Sequence, residues 1–303
     1  MIWAISPTKS VICMGIIIMN SVENIHSTQT RPERLALLDE IRGITLISMM
    51  LYHFLWDLVY IAGIDIPWYH GRGAHIWQQS ICWTFIFLSG FCWSLGHRHL
   101  KRGLTVYLAG GLVTIVTLLL LPEDRVVFGV LTLIGSSMLL MIPLDRAFII
   151  VQKRTAIVFL TVLSGFLFLL TLPVASGRLG SFVGLWSGNS FLHSGTRLPE
   201  WLYCSWLSTY LGFPMRDFYS TDYFPLIPWF FLFITGYFVH KIYMHKTRGS
   251  EQRTRGGGSG ASVLCQNHLP PLSFIGRHSL LIYMLHQPVL YGVTMAIVYV
   301  RAG

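Results

Sequence analysis

Residues 37–62, LLDEIRGITLISMMLYHFLWDLVYIA, decide how the rest of the chain is read. Ile41 to Ala62 is long enough to cross the ~30 Å hydrocarbon core as a helix. It carries Arg42 at its mouth, His53 in its middle and Asp57 one turn further on. Eleven residues separate Arg42 from His53, which returns a helix almost to its starting direction and sets His53 ~16 Å deeper. His53 and Asp57 are four apart, so they share a face and can pair. Ionisable groups at this depth are costly, and they mark candidate sites. A structural polar contact between helices is the plainer alternative.

Composition agrees with a membrane reading. The 303 residues are 53% hydrophobic and 12% charged, about half the charge of a soluble domain. Five cysteines show no CxxC or Cys/His metal spacing, so neither a disulfide framework nor a metal site is expected. The formal charge of +9 lies in short loops between apolar runs, which favours membrane orientation over nucleic-acid binding.

The pattern predicts an all-α integral membrane protein with about seven transmembrane helices. Residues 1–30 read as a weakly patterned leader, interfacial or poorly ordered, before a single domain over 31–303. After 41–62 the spans fall at 75–96, 104–121, 126–144, 156–174, 224–243 and 279–300. A long insert, 175–223, separates the fifth from the sixth, and within it 201–213 is a candidate interfacial or re-entrant helix. Residues 244–271, with GGGSG at 256–260, read as a flexible loop. Assigning alternate loops to one side gathers 16 of the 22 basic residues there. The positive-inside bias then puts the N-terminus and the 244–271 loop in the cytoplasm, with the insert outside.

The last span repeats the anomaly of the first. SFIGRHSLLIYMLHQPVL, 273–290, sets Ser279, Tyr283 and His286 on one helical face, with His286 ~13 Å beyond Arg277. Pro288 should loosen the helix and free a carbonyl nearby. Imidazole titrates near pH 6.5, so both mid-membrane histidines suit acid–base work, although histidine also serves as interhelical glue. On the outer side, His70 and His75 stand among Trp68, Tyr69 and Trp77 and can face an acceptor. Arg98, Lys101 and Arg102 form a basic turn able to hold a phosphorylated cofactor at the cytoplasmic mouth, and orientation alone also explains such a turn. Asp222, beside Pro225 and Pro228 at the start of the sixth span, is accounted for by the helix macrodipole. No P-loop, GxGxxG, HExxH or GxSxG signature occurs at a meaningful position.

Five motifs in order, LDEIRGITLISMMLYHFLWDL, FIFLSGF, VVFGVLTLIGSSMLL, STDYFPLIPW and GRHSLLIYMLHQPVL, resemble a bacterial membrane family grouped with the catalytic domain of heparan-α-glucosaminide N-acetyltransferase. The similarity runs from about Arg31 to Tyr299. Arg42 and His53 also match an Arg-x10-His element of the wider transmembrane acyltransferase superfamily. The resemblance implies acetyl transfer across an inner cell membrane, from cytoplasmic acetyl-CoA to a hydroxyl or amine of an extracytoplasmic glycan. It places a catalytic histidine in the first outer loop, within one position of His70, and Thr132 stands where relatives often carry histidine. On this reading His53, held by Asp57, is the general base, with His286 and His70 as further catalytic candidates. Arg42 anchors the donor's phosphates or neutralises Asp39 and Glu40, and Arg98, Lys101 and Arg102 add cofactor contacts. Direct transfer and a covalent acyl-histidine both remain open. The expected partners are the bilayer, the acyl donor and the acceptor, and a homo-oligomer is compatible with them. The rival function is a proton-coupled permease in which His53 and His286 form a relay.

Overall fold

The computed structural model describes residues 35–180, 196–253 and 268–302. The leader 1–30 and the GGGSG stretch lie outside the described residues. The described chain is mostly helical: α1 Ala36–Tyr60, α2 Arg72–Phe91, α3 His99–Leu120, α4 Val130–Phe148, α5 Arg154–Thr171, α6 Trp206–Leu211, α7 Leu226–Arg253, α8 Pro270–Arg277 and α9 Ser279–Ala302. A two-residue ladder, β1 Arg178–Leu179 with β2 Thr196–Arg197, is antiparallel.

Six of these helices (α1, α3, α4, α5 with its 3-10 end, α7 and α9) are long and apolar enough to cross a membrane. The seventh expected span, α2, is not among them. Arg72, His75, Gln78 and Gln79 make its first half polar. It is nonetheless a central helix, packed on α1 and α7.

Side-chain contacts fix the relative helix directions. Trp83 reaches Phe168, which touches Trp229, and Phe91 meets His240, so α2 and α7 run parallel. Thr235 donates to Ser164 at 2.9 Å, and Phe168 lies beside Trp229, so α5 opposes α7. Along α1, Leu46 and Met49 pack with Ile282, and His53 meets His286, so α1 and α9 rise together. In lipid the hydrophobic effect does not press helices together, so close packing of small residues does much of that work. At the α2–α7 crossing a Cβ on Gly90 would stand 1.9 Å from the Phe233 carbonyl oxygen. At α3–α4 one on Gly135 would stand 2.4 Å from the Tyr107 nitrogen. The outer faces of α3 and α9, with Leu108, Leu119, Val289 and Val300 exposed, are apolar as lipid contact requires.

Several expected boundaries move. Helix α4 starts at Val130 rather than 126, because Phe128 is left-handed (φ 57°) and Val127 and Val130 are tied to Ser220 and Asp222. Residues 201–213 form no re-entrant helix. A 3-10 turn, Glu200–Tyr203, precedes α6, whose six residues rise only ~9 Å. The 244–271 loop is shorter than expected, since α7 continues to Arg253 and α8 begins at Pro270. Pro288 lies inside α9 without ending it.

Candidate active site

The two helices with mid-depth histidines meet. The ring centroids of His53 and His286 are 4.9 Å apart, with planes inclined by 60°. His286 is buried and its Nδ1 lies 2.5 Å from the Tyr283 carbonyl oxygen. A carbonyl can only accept, so Nδ1 carries the hydrogen and Nε2 keeps its lone pair in the neutral ring. No hydrogen bond reaches Nε2 among the described residues. That atom is a buried base without a proton donor.

Asp57 is fully buried but is not held by His53. Its Oδ1 accepts from Gln287 Nε2 at 3.0 Å, and its Oδ2 has no partner among the described residues. The amide of Gln287, the residue after His286, offers a donor across the α1–α9 contact. The expected orienting contact inside α1 is therefore replaced by one between helices.

His70 closes the 3-10 turn Pro67–His70 and is exposed, with its ring 5.9 Å from Tyr60. Its neighbour turns inward instead. Tyr69 is buried, donates to the Tyr52 carbonyl at 3.2 Å, and lies 5.2 Å from the Tyr52 ring. Burial raises the Tyr69 phenol above its usual value, so it stays a neutral donor. Trp77 Nε1 donates to Ser48 at 2.7 Å and its ring abuts Tyr52. Tyr52, Tyr69 and Trp77 thus form one aromatic cluster, whose Tyr52 ring lies 6.1 Å from that of His53. His75 is exposed near the start of α2.

The basic candidates divide. Arg42 pairs with buried Asp39 at 3.2 Å, and Arg277 approaches the same carboxylate at 3.8 Å. Glu40, also buried, instead accepts the Leu269 N–H at 2.9 Å. Of the roles expected for Arg42, neutralising Asp39 is the one seen. Arg102 lies against Gly96, where a Cβ would stand 1.4 Å from its Nη1, and its charge is within range of Arg42. Arg98, Lys101 and Arg102 are all exposed. Three guanidinium groups against the carboxylates of Asp39 and Glu40 leave one positive charge in excess, able to meet a phosphate of an acyl-CoA.

A further carboxylate, Asp222, is half-buried in the segment before α7. Asp222 Oδ2 accepts the Val130 N–H at 3.3 Å, so it caps α4 rather than the helix it precedes. Burial pushes this carboxyl up to about 6, with the Val130 hydrogen bond opposing the shift. Tyr69, Gln287 and Asp222 had little sequence signal as site residues. Only the neighbourhood of each, an aromatic loop, a histidine inside an apolar span and a proline-bounded motif, pointed toward them.

The sequence profile of one family, described as heparan-alpha-glucosaminide N-acetyltransferase, catalytic, matches residues 34–288. No match was found among curated proteins or among solved structures. The match supports a transmembrane acetyltransferase, and it includes His53, Asp57, His286 and Gln287. The chain is a multi-pass membrane protein that belongs to the heparan-alpha-glucosaminide N-acetyltransferase catalytic family.

Proposed function

We propose that the chain moves an acetyl group from cytoplasmic acetyl-CoA to a hydroxyl or amine of an extracytoplasmic glycan, using the His53–His286 pair. The meeting of the two histidines at mid-depth carries this reading. A donor entering past Arg42, Arg102 and Arg277 and an acceptor entering from the opposite face would converge there. Acetyl-CoA supplies the acyl group as a thioester. His286 Nε2 takes the proton of the acceptor as its oxygen or nitrogen attacks the carbonyl. The imidazolium returns that proton to the departing thiolate, so charge and atoms balance. A positioned base of this kind contributes ~10²–10⁴-fold.

Acetyl-CoA binding is the direct test. It should raise the melting temperature of the purified protein, since ligand bound only to the folded state stabilises by mass action. Arg102→Gln should weaken that shift, more at low salt than at high salt. Absence of any shift in the wild type would remove the donor from the proposal.

Seven crossings, with α2 as the second, give the inner-membrane arrangement in which the N-terminus and Arg102 face the cytoplasm and 175–223 faces outward. Residues 31–303 then act as one acyltransferase domain. Native Cys204 is exposed in that outer segment. In a variant with the other four cysteines replaced by serine, an impermeant maleimide should label Cys204 in intact cells. His97→Cys in a cysteine-free chain should label only after lysis. The reverse pattern would move the donor to the other side.

A further inference from the structure

Between α3, the start of α4 and α9 lies a small cleft lined by Gly110, Gly129, Thr132, Asp222 and Tyr283. Its polar side chains converge from three separated parts of the sequence, and none of these side chains has a part in the mechanism above. Asp222 shares the cleft with Tyr283, which lies one turn before His286 on α9. The carboxylate therefore sits among these helices, although it precedes α7 in sequence.

Asp222 is also underemployed there. One oxygen takes the Val130 N–H, and no ion pair reaches this carboxylate among the described residues. Asp222 is half-buried, and with no cation beside it the carboxylate keeps lone pairs available to a donor. Two glycines let the backbone pack tightly against the polar groups of the cleft, and a side chain at either would displace them. A Cβ on Gly129 would stand 2.9 Å from Asp222 Oδ2, and one on Gly110 would stand 2.6 Å from Thr132 Oγ1. Tyr283 joins the cleft to the histidines. Its ring lies 5.3 Å from that of His286, and its carbonyl holds His286 Nδ1.

We propose that this cleft receives the nucleophilic end of the acceptor, with Asp222 accepting a hydrogen bond from its hydroxyl or amine. The inference rests on the acetyl-transfer reading and names where that reaction binds its second substrate. The chemistry selects a group that donates hydrogen bonds. Thr132 and Tyr283 hydroxyls can complement its lone pairs, and the Asp222 charge disfavours an acceptor that ends in a phosphate or carboxylate.

Asp222→Asn separates binding from folding, because the asparagine oxygen can still accept the Val130 N–H and cap α4. Glucosamine and glucose serve as soluble amine and hydroxyl probes, with labelled acetyl-CoA as donor. A hydrogen bond to a charged group is worth enough that the KM for the probe should rise ~10-fold or more in Asp222→Asn. The KM for acetyl-CoA, its thermal shift and kcat at saturating probe should stay close to wild type. Tyr283→Phe, which keeps the ring and the carbonyl, should raise the same KM by less. An unchanged probe KM in Asp222→Asn overturns the inference, as does a parallel rise in both KM values or a fall in kcat alone. If the wild type acetylates neither probe nor membrane glycan, the acetyl-transfer reading fails and this inference falls with it. Transfer with an unchanged KM removes the inference alone.

Discussion

Replacing His53 or His286 by glutamine should lower acetyl transfer by at least ~10²-fold while leaving the protein folded and able to bind acetyl-CoA. Glutamine approximates the volume of histidine and keeps a hydrogen-bonding end, but it cannot take a proton at neutral pH. His286→Gln removes the buried Nε2 that lacks a donor, and His53→Gln removes the ring lying 4.9 Å from it. Because the rings touch, the two losses should not add, and the double variant should be little worse than the poorer single one. Asp57→Asn should lose less, since its contact is with Gln287 and it reaches the pair only through α9. The measurement is transfer from labelled acetyl-CoA into membrane glycan, alongside melting of each purified variant. Near-normal transfer by His53→Gln would leave His286 as sole base. Near-normal transfer by both variants would return the pair to the proton-relay alternative. Variants that fail to fold would make the pair structural.

What the chain reveals before folding is what can be said locally. An ionisable residue inside an apolar run is a local anomaly, so His53, Asp57 and His286 stand out from the sequence alone. Their partners do not. Gln287 lies 230 residues from Asp57, and Val130 lies 92 residues from Asp222, so each hydrogen bond exists only after helices pack. His70 and Tyr69 are adjacent, and the 3-10 turn that buries one and exposes the other is too short to leave a periodic signal. Helix α8 was hidden for a similar reason. Eight residues opened by two prolines and broken from α9 at His278 read as the end of a loop. The end of α7 was concealed by charge, since the residues after Tyr243 lose the apolar pattern that announced the helix. Helix α2 shows the opposite mismatch: its position in the bundle is central, yet its polar first half falls short of a span by composition.

Two glycines, at 276 in α8 and at 292 in α9, should respond in opposite ways to the same added methyl group. Gly276 lies where α8 crosses α1, and a Cβ there would stand 1.8 Å from the Asp39 carbonyl oxygen. The reciprocal contact is equally tight, with a Cβ on Gly43 standing 2.2 Å from the Leu272 oxygen. Neither obstacle is a side chain that can swing away, so backbone must separate from backbone. This crossing also sets the start of α9, and a displaced α9 carries His286 from His53 and Gln287 from Asp57. Gly276→Ala should therefore destabilise by ~3 kcal/mol or more, in the range of severe overpacking, and should lose transfer even where folded protein is recovered. Nothing lies within 4 Å of a Cβ on Gly292. Alanine in that helix interior avoids the conformational cost of glycine, so Gly292→Ala should be neutral or more stable by ~0.5–1 kcal/mol with transfer intact. Melting temperature and initial rate of each purified variant check the pair. A silent Gly276→Ala would mean that the α1–α8 crossing does not set the spacing of the histidines, and that α9 is held against α1 by its own contacts alone.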